Sequence, residues 1–558
     1  MQSTVGQYLA ARFQQVRIRD YFAVPGDYNL GLLDELLRNR DLRIISCCNE
    51  LNASYAADGY ARATGGPSAI IVTFSVGGLS AINGIAGACA ESLPVIVVSG
   101  GPNTNSEAEN ELLHHTIGIV DYGYQREMFS RVTAESVIIR NAGEAPSQID
   151  HAIDTALRQR KPVYLEVPCN LAGAATSAPQ ARTFAVEAPL DEAAVEAAAS
   201  HAASILAAAV KPALVAGVGL RACRAEAEFA ALANAVGCAV ATMPNAKSFF
   251  PESHPAYIGT YWGPVSSPGC SEIIESCDLV LHAGSTFTDY TTTGHVAVLD
   301  PGKIVGVNAD SVTLGGQSYS NVPMRAFLDR LAQRVKRNEA SLQAFNRVRE
   351  EITPPTDGGD SPLTTRQLFH RIQKMLTPDC TVIAETGDSW FNGMRLKLPE
   401  GARFEIQMQY GSIGWSVGAT LGYAVGSDRR TIALIGDGSF QLTAQEVSTM
   451  IRYGLNPIIF LINNGGYTIE VEIHDGPYNS IKNWRYADLV KVFNADDGNG
   501  WSARATTQNE LDAAINQALA HNGPSLIEVA IDRDDCSKHL LEWGRHVAAN
   551  NGRPPHLL

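Results

Sequence analysis

The stretch of sequence that decides the fold is GDGSFQLTAQEVSTMIRYGLNPIIFLINNGGYTIE, which runs from Gly436 to Glu470. The apolar run TIALI leads into its Gly-Asp-Gly turn, and a second apolar run, PIIFLI, ends at Asn463 and Asn464. With a helical pattern between the two runs, the stretch predicts a strand–helix–strand unit of a parallel sheet. The two strand ends of such a unit lie side by side, at the edge where ligands of open α/β sheets bind.

The residue types at these two strand ends predict a site for a metal and a diphosphate. Gly436 and Gly438 let the backbone approach a phosphate closely, and helix-start amides after Ser439 can donate to its oxygens. Asp437 offers a carboxylate, Asn464 an amide oxygen and a nearby backbone carbonyl a third oxygen, which together suit Mg²⁺. A GDG turn alone is more often only a turn. A GDG followed after 24 residues by NN, across one strand–helix–strand unit, is far more specific.

Outward from this stretch, similar short apolar runs recur along the whole chain. They are AIIVTF (69–74), PVIVVSG (94–100), PALVAG (212–217), DLVLHAG (278–284), TIALIG (431–436) and PIIFLI (457–462). Runs of this length, bounded by Gly, Pro and Asn, indicate buried parallel strands, and the helical patterns between them predict three doubly wound α/β domains with parallel sheets. Linker-like composition at about 172–192 and 353–362 predicts domains over 1–180, 190–352 and 360–558.

The first and third segments share a similar order of motifs. In the first, AIIVTF leads into SVGG, a helical pattern and LPVIVV; in the third, TIALI leads into GDGS, a helical pattern and NPIIFLI. Any two α/β units can look alike, so this similarity is weak evidence for duplication. It is consistent with two related outer domains and a different middle one.

Composition narrows the class of protein. The chain has 558 residues, 45% hydrophobic and 18% charged, with a formal net charge of −15. The acidic balance and the lack of a Lys/Arg run argue against a nucleic-acid partner and against binding to an anionic membrane. The sequence has no run of about 20 apolar residues, so no membrane span is predicted. Its first residues lack the pattern of a signal peptide. Ten cysteines without metal-site spacing predict reduced thiols and a cytoplasmic location.

The 436–470 pattern resembles the cofactor-binding motif of thiamine-diphosphate-dependent enzymes, and NNGGYTIEVEIHDGPYN (463–479) resembles pyruvate decarboxylases in particular. The resemblance continues through NELNASYAADGYAR (49–62), VPGDYNL (24–30), LHHTIG (113–118), ETGDSWFNG (385–393) and QYGSIGWSVGAT (409–420). It implies non-oxidative decarboxylation of a small 2-keto acid, pyruvate, to an aldehyde and carbon dioxide, with thiamine diphosphate and Mg²⁺ as cofactors. It also implies that the outer two domains are thiamine-diphosphate-binding folds. The expected assembly is a homo-oligomer, a dimer of dimers with active sites at the subunit interface.

Thiamine chemistry requires that the thiazolium carbon lose a proton. By resemblance, Glu50 is the glutamate that activates the cofactor through its aminopyrimidine ring, although a helix N-terminus also favours a carboxylate. Asp27, His114, His115 and Glu470 match the set of groups that move protons during decarboxylation. Without the resemblance, Asp27 reads equally as an N-cap or turn residue and the His pair as polar loop content, whereas Glu470 in its apolar stretch is harder to dismiss.

The resemblance also assigns a cofactor shell and a substrate pocket. The shell consists of Glu50, Asp388, Gly411, Ile413, Asp437, Gly438, Ser439, Asn464, Gly466, Tyr467 and Ile469, with Asp437, Asn464 and Gly466 holding Mg²⁺. Ile413 matches the bulky residue that props the cofactor into its bent shape. The pocket residues are Trp390, Tyr290 and Thr73, and the indole of Trp390 would restrict the pocket to pyruvate, although a Trp is otherwise mostly core.

Other readings stay open. The turn from Gly217 to Ala222 fits the dinucleotide fingerprint G-x-G-x-x-A, but no acidic residue follows the next predicted strand, so a structural turn is preferred. The alternatives are an indolepyruvate or branched-chain keto-acid decarboxylase, an acetolactate-synthase-like ligase, a flavin- or nicotinamide-dependent oxidoreductase, and a non-catalytic scaffold. The segment 537–551 predicts an amphipathic helix that either closes over the site or simply docks on the protein.

Overall fold

The computed structural model describes residues 2–184, 190–297, 299–349 and 359–555. Three sheets follow one another along the chain, each flanked by helices. The first part of the chain contains strands β1 (Gln2–Thr4), β2 (Asp20–Ala23), β3 (Arg43–Ser46), β4 (Ser68–Val72), β5 (Val95–Gly101), β6 (Glu135–Ile138), β7 (Val163–Pro168) and β8 (Ala175–Ser177). Its helices are α1 (Val5–Gln15), α2 (Leu30–Leu37), α3 (Glu50–Thr64), α4 (Val76–Ala90), α5 (Thr104–Ala108), α6 (Tyr124–Phe129) and α7 (Ala145–Gln159).

The middle part of the chain forms a seven-stranded sheet. Its strands are β9 (Pro212–Ala216), β10 (Ala239–Thr242), β11 (Tyr257–Thr260), β12 (Leu279–Ala283), β13 (Ile304–Val307), β14 (Ser311–Leu314) and β15 (Gln317–Ser320). Its helices are α8 (Glu192–Ala208), α9 (Gly219–Cys223), α10 (Glu226–Val236), α11 (Cys270–Glu275), α12 (Met324–Ala332) and α13 (Ala340–Val348).

The last part of the chain forms a six-stranded sheet. Its strands are β16 (Cys380–Ala384), β17 (Arg403–Glu405), β18 (Arg430–Gly436), β19 (Ile458–Asn463), β20 (Trp501–Ala505) and β21 (Ser525–Ala530). Its helices are α14 (Thr365–Met375), α15 (Asp388–Arg395), α16 (Trp415–Gly426), α17 (Asp437–Thr443), α18 (Glu446–Arg452), α19 (Thr468–Ile473), α20 (Tyr486–Asn494), α21 (Gln508–Ala520) and α22 (Lys538–Asn551).

The two outer sheets have the same topology. Their orders are β3-β2-β4-β5-β7-β6 and β17-β16-β18-β19-β21-β20, and every pair within them is parallel. Counted from the first strand of each sheet, both orders read 2-1-3-4-6-5. The middle sheet differs, since β11-β10-β9-β12-β13 are parallel and β14 and β15 add an antiparallel edge. The predicted α/β class, with two similar outer domains and a different middle one, is confirmed.

The six apolar runs picked out in the sequence all form strands of these sheets. They correspond to β4, β5, β9, β12, β18 and β19, which are buried almost throughout because helices cover both faces of each sheet. The single helix expected between β18 and β19 is instead two helices, α17 and α18. The predicted helix over 537–551 is present as α22.

The predicted linkers coincide only in part with what the structure shows. Residues 175–177 of the first linker form β8, which pairs antiparallel with β1 and so belongs to the first domain. Residues 185–189 of that linker, and residues 353–358 of the second, lie outside the described residues. The exact domain boundaries therefore stay a prediction.

Helices α3 and α16 pack so closely that their backbones touch, which joins the first domain to the last. A Cβ on Gly59 would lie 2.2 Å from the carbonyl oxygen of Ala419. A Cβ on Gly422 would lie 1.8 Å from the carbonyl oxygen of Ala56. Glycine is therefore required at both positions for this contact.

A buried ion network ties all three domains together at one end of these helices. Arg62 of α3 lies 2.6 Å from Asp58 and 3.1 Å from Glu405 of β17. Arg221 of the middle domain lies 2.8 Å from Glu405 and 3.3 Å from Glu91. All five side chains are at most 9% exposed, so each charge depends on the others for its stability.

The glycines of the fingerprint-like turn accommodate protein backbone. A Cβ on Gly217 would lie 2.2 Å from the amide nitrogen of Ser285, and one on Gly219 would lie 2.8 Å from the Cα of Gly284. The Gly219 N–H donates to the carbonyl of Gly284 at 2.9 Å. Close packing between the ends of β9 and β12 thus explains the Gly-x-Gly spacing without a nucleotide.

Two further expectations concern the surface and the thiols. Within the described ranges, the model contains no helix whose length and apolar character would let it cross a membrane. All ten cysteines are unpaired thiols, and only Cys48 is exposed. The expectation of free thiols rather than disulfides is confirmed.

Candidate active site

One half of the candidate site lies at the carboxyl ends of β16, β18 and β19. We call residues 436–439 and 463–467 the cradle. Because β18 pairs in parallel with β19, with Gly436 opposite Ile462, the turn at Asp437 and the loop after Asn463 lie side by side. Asp437 is fully buried at the first position of α17. Its Oδ2 accepts a hydrogen bond from the Gly465 N–H at 2.6 Å, so the two strand ends are directly linked.

The electrostatics of Asp437 suit a cation. Burial raises the pKa of this carboxyl to about 6, although N–H donors from Gly465, Gly438, Asn464 and Gly466 act in the opposite direction. A carboxylate removed from water and stabilised only by backbone amides gains strongly from an adjacent divalent ion. The Asn464 Nδ2 donates to Thr468 Oγ1 at 2.6 Å. The amide oxygen of Asn464 is not used in this hydrogen bond and can serve as a metal ligand. The donor set therefore fits Mg²⁺.

A small cleft of about 50 Å³ opens over the cradle. It brings together eight of the predicted cofactor residues, namely Asp388, Ile413, Gly438, Ser439, Asn464, Gly466, Tyr467 and Ile469. Gly411 lies two residues from Ile413 with φ of 67°, and a Cβ there would meet no heavy atom within 4 Å. Its carbonyl therefore lies in an open loop beside the cleft. At Gly436 a Cβ would likewise meet nothing within 4 Å, which leaves space for a ligand against the helix N-terminus.

Asp388 is held at the edge of the cleft by the C-terminal segment. Its carboxylate accepts hydrogen bonds from Ser537 Oγ at 2.5 Å, from the Ser537 N–H at 3.0 Å and from Asn392 Nδ2 at 2.8 Å. Burial raises the pKa of Asp388 to about 6, and these donors limit the rise. Ser537 also caps α22, so the position of this helix is coupled to the cleft.

The other half of the site lies at the carboxyl ends of three neighbouring strands of the first sheet. Asp27 follows β2, Glu50 begins α3 after β3, and Thr73 follows β4. A Cβ on Gly77 would lie 3.0 Å from Glu50 Oε1 and 3.1 Å from Thr73 Cγ2. A Cβ on Gly26 would lie 2.5 Å from Thr73 Cβ. Small residues at these turns thus bring the three predicted site residues together.

Asp27 and the two predicted histidines form one cluster. His114 Nε2 lies 2.6 Å from Asp27 Oδ2, and His115 Nε2 lies 3.6 Å from Asp27 Oδ1. Tyr28 stacks on the ring of His114 at 5.0 Å between centroids. His115 has φ of 64°, a conformation that L-residues rarely adopt. Asn29, not Asp27, occupies the N-cap position of the following helix α2, without a side-chain capping bond, and the carboxylate of Asp27 contacts the histidines.

Glu470 follows Ile469, which lines the cleft, whereas Tyr290 and Trp390 belong to an aromatic cluster. Glu470 is exposed on α19, and its charge contributes to the raised pKa of the Tyr290 phenol, whose main cause is burial. The rings of Tyr290 and Trp390 meet edge-on with centroids 6.1 Å apart. Trp390 is fully buried, and it is its neighbour Ser389 that lines the cleft. Selection of substrate by Trp390 therefore stays a prediction, and would act through Tyr290.

The aromatic cluster joins the middle domain, the last sheet and α22. Its members are Trp262, Tyr290, Trp390, Phe391 and Trp543. Trp262 stacks on Phe391 at 4.7 Å, and Tyr290 meets Trp543 edge-on at 4.8 Å. The carbonyl of Tyr290 accepts the indole N–H of Trp262 at 2.6 Å and that of Trp543 at 3.3 Å. The loop that carries Tyr290 is thus fixed against α22.

The two halves of the candidate site are separate within one chain. The described residues that line the cleft all lie between Thr365 and Asp535. Glu50, Thr73, Asp27 and the histidines therefore stand outside the cleft of their own chain. Each half carries groups that the other lacks, since the cradle has the predicted metal and phosphate donors and the first sheet has the predicted proton-transfer groups.

Several supporting residues were not found from the sequence. Glu385, buried just before Asp388, accepts hydrogen bonds from Gly414 N–H at 3.1 Å and from Ser416 Oγ at 2.6 Å, so it fixes the loop of Ile413. Glu446 accepts from Asn52 Nδ2 at 2.7 Å and so holds the start of α3, where Glu50 lies. Both carboxylates act across long sequence separations. The only local signal was their position beside motifs already recognised.

Models of one enzyme family match parts of all three domains. Residues 3–123 match the thiamine pyrophosphate enzyme N-terminal TPP binding domain, residues 199–335 the central domain and residues 386–529 the C-terminal TPP binding domain. Among solved structures, the fold is similar to a thiamine diphosphate-dependent 4-hydroxybenzoylformate decarboxylase of Rhodococcus jostii RHA1, with a TM-score of 0.78 over 96% of this chain and 100% of that one. At 22% identity this similarity supports the fold alone.

Curated relatives match over nearly the full length. Pyruvate decarboxylase 1 of Oryza sativa subsp. indica is 51% identical, covering 99% of this chain and 93% of the relative. A probable pyruvate decarboxylase of Schizosaccharomyces pombe is 48% identical, covering 99% and 97%. Pyruvate decarboxylase 1 of Arabidopsis thaliana is 50% identical, covering 99% and 92%.

Proposed function

The chain belongs to the thiamine pyrophosphate enzymes and, among them, to the pyruvate decarboxylase family, and from that premise we propose that it decarboxylates pyruvate non-oxidatively to acetaldehyde and carbon dioxide. The observation that carries this proposal is 51% identity to a pyruvate decarboxylase across 99% of the chain. Thiamine diphosphate and Mg²⁺ are the cofactors, as the two TPP binding domains and the oxygen donors of the cradle support.

When bound, thiamine diphosphate supplies a nucleophilic carbon for the keto group and accepts the electron pair left by the departing carboxylate. Asp437, the Asn464 amide oxygen and the Gly466 carbonyl hold the magnesium ion. Amides at the start of α17, from Gly438 and Ser439, hold the diphosphate. The buried Asp437 supports this assignment, because its carboxylate is removed from water and an adjacent cation would stabilise its charge.

The residues of the first sheet handle protons. Glu50 would accept a hydrogen bond from the far ring nitrogen of the aminopyrimidine and so hold a proton there, as activation of the cofactor requires. The cluster of Asp27, His114 and His115 would supply the proton for the keto oxygen of the substrate and the proton that replaces the carboxylate in the aldehyde product. The 2.6 Å hydrogen-bond contact between Asp27 Oδ2 and His114 Nε2 supports joint action of these groups. Glu470 follows Ile469, which lines the cleft, and we assign it to the same set of proton-transfer groups.

The functional unit is a homodimer, and the assembly a dimer of dimers, with each active site built from two chains. Support comes from the separation of Glu50 and Asp27 from the cleft within one chain. The first half of one chain would face the cradle of its partner, and the symmetry of the pair would complete two sites together. A cytoplasmic location is supported by the ten free thiols.

The substrate is the small keto acid pyruvate, with indolepyruvate and branched-chain keto acids as the alternatives. Support for pyruvate comes from the relatives and from the crowding of Tyr290 by the bulky Trp390. The ligase and flavin alternatives are disfavoured, because backbone fills the only fingerprint-like turn that the sequence suggested.

The test is a coupled assay of aldehyde release with pyruvate, thiamine diphosphate and Mg²⁺. We expect turnover with wild-type protein and a loss of about 100-fold or more in kcat for Glu50→Gln, in line with removal of a proton-transfer group. Glu272→Gln is the matched control, since Glu272 is also in the first turn of a helix, α11, but lies in the middle domain. Rapid turnover by Glu50→Gln would overturn the assignment of Glu50. A higher kcat/KM of the wild type for phenylpyruvate or 3-methyl-2-oxobutanoate than for pyruvate would overturn the assignment of pyruvate as the substrate.

A further inference from the structure

A large cavity of about 930 Å³ lies where the three domains meet, and it shares no lining residue with the cleft over the cradle. We call it the arginine cavity, because seven arginines and two acidic residues line it among the residues that the structure describes. The first domain contributes Arg17, the middle domain Arg224 and the last domain Arg403 and Arg429. This concentration of positive charge contrasts with the net charge of −15 of the chain. Nothing in the proposed reaction uses it.

The acidic residues of the lining do not neutralise the cavity. Glu405 is already shared between Arg62 and Arg221, which also pair with Glu91. Among the described residues, Glu226 is the other acidic group of the lining, and it interacts electrostatically with Arg403 and Arg221. Arg182 is paired with Asp154 and Asp150, which do not line the cavity.

Four guanidinium groups of the lining have no carboxylate within salt-bridge distance among the described residues, although Glu226 interacts electrostatically with Arg403. Arg17 and Arg403 are exposed, and neither side chain makes a hydrogen bond or ion pair within the described ranges. Arg224 donates to the Gly65 carbonyl at 2.7 Å, and Arg429 donates to the Pro378 carbonyl at 2.8 Å. Backbone carbonyls orient these two groups but do not cancel their charge.

A fifth arginine, Arg160, lies behind the wall of the cavity. It is 7% exposed and donates to the same Gly65 carbonyl at 3.2 Å, while its Nε and Nη1 have no partner among the described residues. Burial together with the neighbouring Arg224 and Arg221 lowers its pKa to about 10. The protein thus maintains mutually repelling guanidinium groups at this place, which an anion would relieve.

We propose that the arginine cavity binds a small organic bisphosphate, with one phosphate between Arg17 and Arg403 and the other on Arg224. Arginine matches phosphate because its planar group donates two parallel hydrogen bonds to two oxygens. The volume lies within the range of small-molecule sites and far exceeds the space that one inorganic phosphate needs. Because the three arginines belong to different domains, the ligand would fasten the domains to one another.

The experiment is calorimetric titration of the holoenzyme, saturated with thiamine diphosphate and Mg²⁺ so that the cradle is occupied. The probes are glucose 1,6-bisphosphate and inorganic phosphate at constant ionic strength. We expect the bisphosphate to bind at least about tenfold more tightly than phosphate, because two groups are held instead of one. The double variant Arg17→Gln/Arg403→Gln should weaken the bisphosphate by about tenfold or more.

The double variant is suited to this test because neither side chain makes a hydrogen bond or salt bridge among the described residues, and Arg403 loses only its longer-range attraction to Glu226. Its thermal midpoint without ligand should therefore match wild type, and a raised midpoint with bisphosphate should be seen in wild type only. Arg347→Gln, an exposed arginine of α13 outside the cavity, is the matched control and should bind like wild type. The proposal is overturned by absence of bisphosphate binding to the holoenzyme, by equal binding to the double variant, or by an equal loss in Arg347→Gln. Arginine-dependent binding of citrate in place of the bisphosphate would overturn the phosphate assignment.

Discussion

At the scale of single residues, Asp437 shows how burial prepares a group for a ligand. Its carboxylate sits where two strand ends meet, out of contact with water, with backbone amides as its only partners. This arrangement is costly for a charged group in the metal-free protein, and the raised pKa of about 6 reflects that cost.

The raised pKa of Asp437 predicts pH-dependent metal binding. Mg²⁺ binds the deprotonated carboxylate, so below pH 6 the proton competes with the metal and above pH 6 it does not. In titrations with saturating thiamine diphosphate, we expect the Mg²⁺ affinity to fall by up to about tenfold per pH unit below 6 and to be flat above 7. Asp437→Asn should bind Mg²⁺ weakly at every pH, without this break. An affinity for wild type that is constant between pH 5 and 8 would contradict the role given to Asp437.

Trp390 yields a second prediction at this scale. Trp390→Ala should cost about 3–5 kcal/mol of stability, because the side chain is fully buried. If it also confines the substrate through Tyr290, kcat/KM for phenylpyruvate relative to pyruvate should rise by about tenfold. Trp262→Ala is the matched control, since Trp262 belongs to the same aromatic cluster but stacks on Phe391. An unchanged preference in Trp390→Ala, with kinetics measured on folded protein, would leave Trp390 a core residue.

At the scale of elements, the contact between α3 and α16 determines where Glu50 lies. Glu50 is the first residue of α3, and Glu446 of α18 holds the turn before it. Since α3 is set against α16 by backbone contact at Gly59 and Gly422, any separation of the two helices would move Glu50.

Gly422→Ala should therefore be strongly destabilising. The added methyl group would overlap the carbonyl of Ala56, at a cost of about 1–3 kcal/mol or more in denaturant unfolding. Gly31→Ala is the matched control in another helix, because its nearest neighbour would be 3.9 Å away. There the gain in helix propensity should stabilise the protein by up to about 1 kcal/mol. Equal stability of the two variants would show that α3 and α16 can separate without cost.

The sequence was most informative about individual strands and helices. Strands such as β18 and β19 were predictable because a strand buried on both faces must be a continuous apolar run. β8 was not, because its residues, Ala175–Ser177, are small and polar and it is defined only by its partner β1. The break between α17 and α18 has no proline or glycine to mark it.

At the scale of the whole molecule, the site is divided between two places on one chain. The predicted cofactor residues around Asp437 and Asn464 could be grouped from the sequence because one strand–helix–strand unit brings them together. Asp27, Glu50 and Thr73 could be grouped only through the family resemblance, since adjacency of β2, β3 and β4 is not readable from their order. Glu385 and Glu446 escaped notice because their partners are distant in sequence.

Sites built from two chains predict complementation. Glu50→Gln and Asp437→Asn should each be inactive alone. In a purified heterodimer of the two variants, one site receives both lesions and the other receives neither, so about half of the wild-type activity should return. The heterodimer is obtained by co-expression with two different tags, and each doubly purified homodimer is its control. No recovery of activity would mean that Glu50 and Asp437 of the same chain act together.

The aromatic cluster has a further consequence for observing this protein. Three of the six tryptophans of the chain, Trp262, Trp390 and Trp543, are packed in this cluster with Phe391 and Tyr290. Closely packed rings in a fixed asymmetric arrangement couple optically, so this cluster should dominate the near-ultraviolet circular dichroism of the chain. One indole comes from the middle domain, one from α15 and one from α22. Docking of α22 on the rest of the protein can therefore be followed by near-ultraviolet circular dichroism, in the unlabelled protein, in real time and without any substrate.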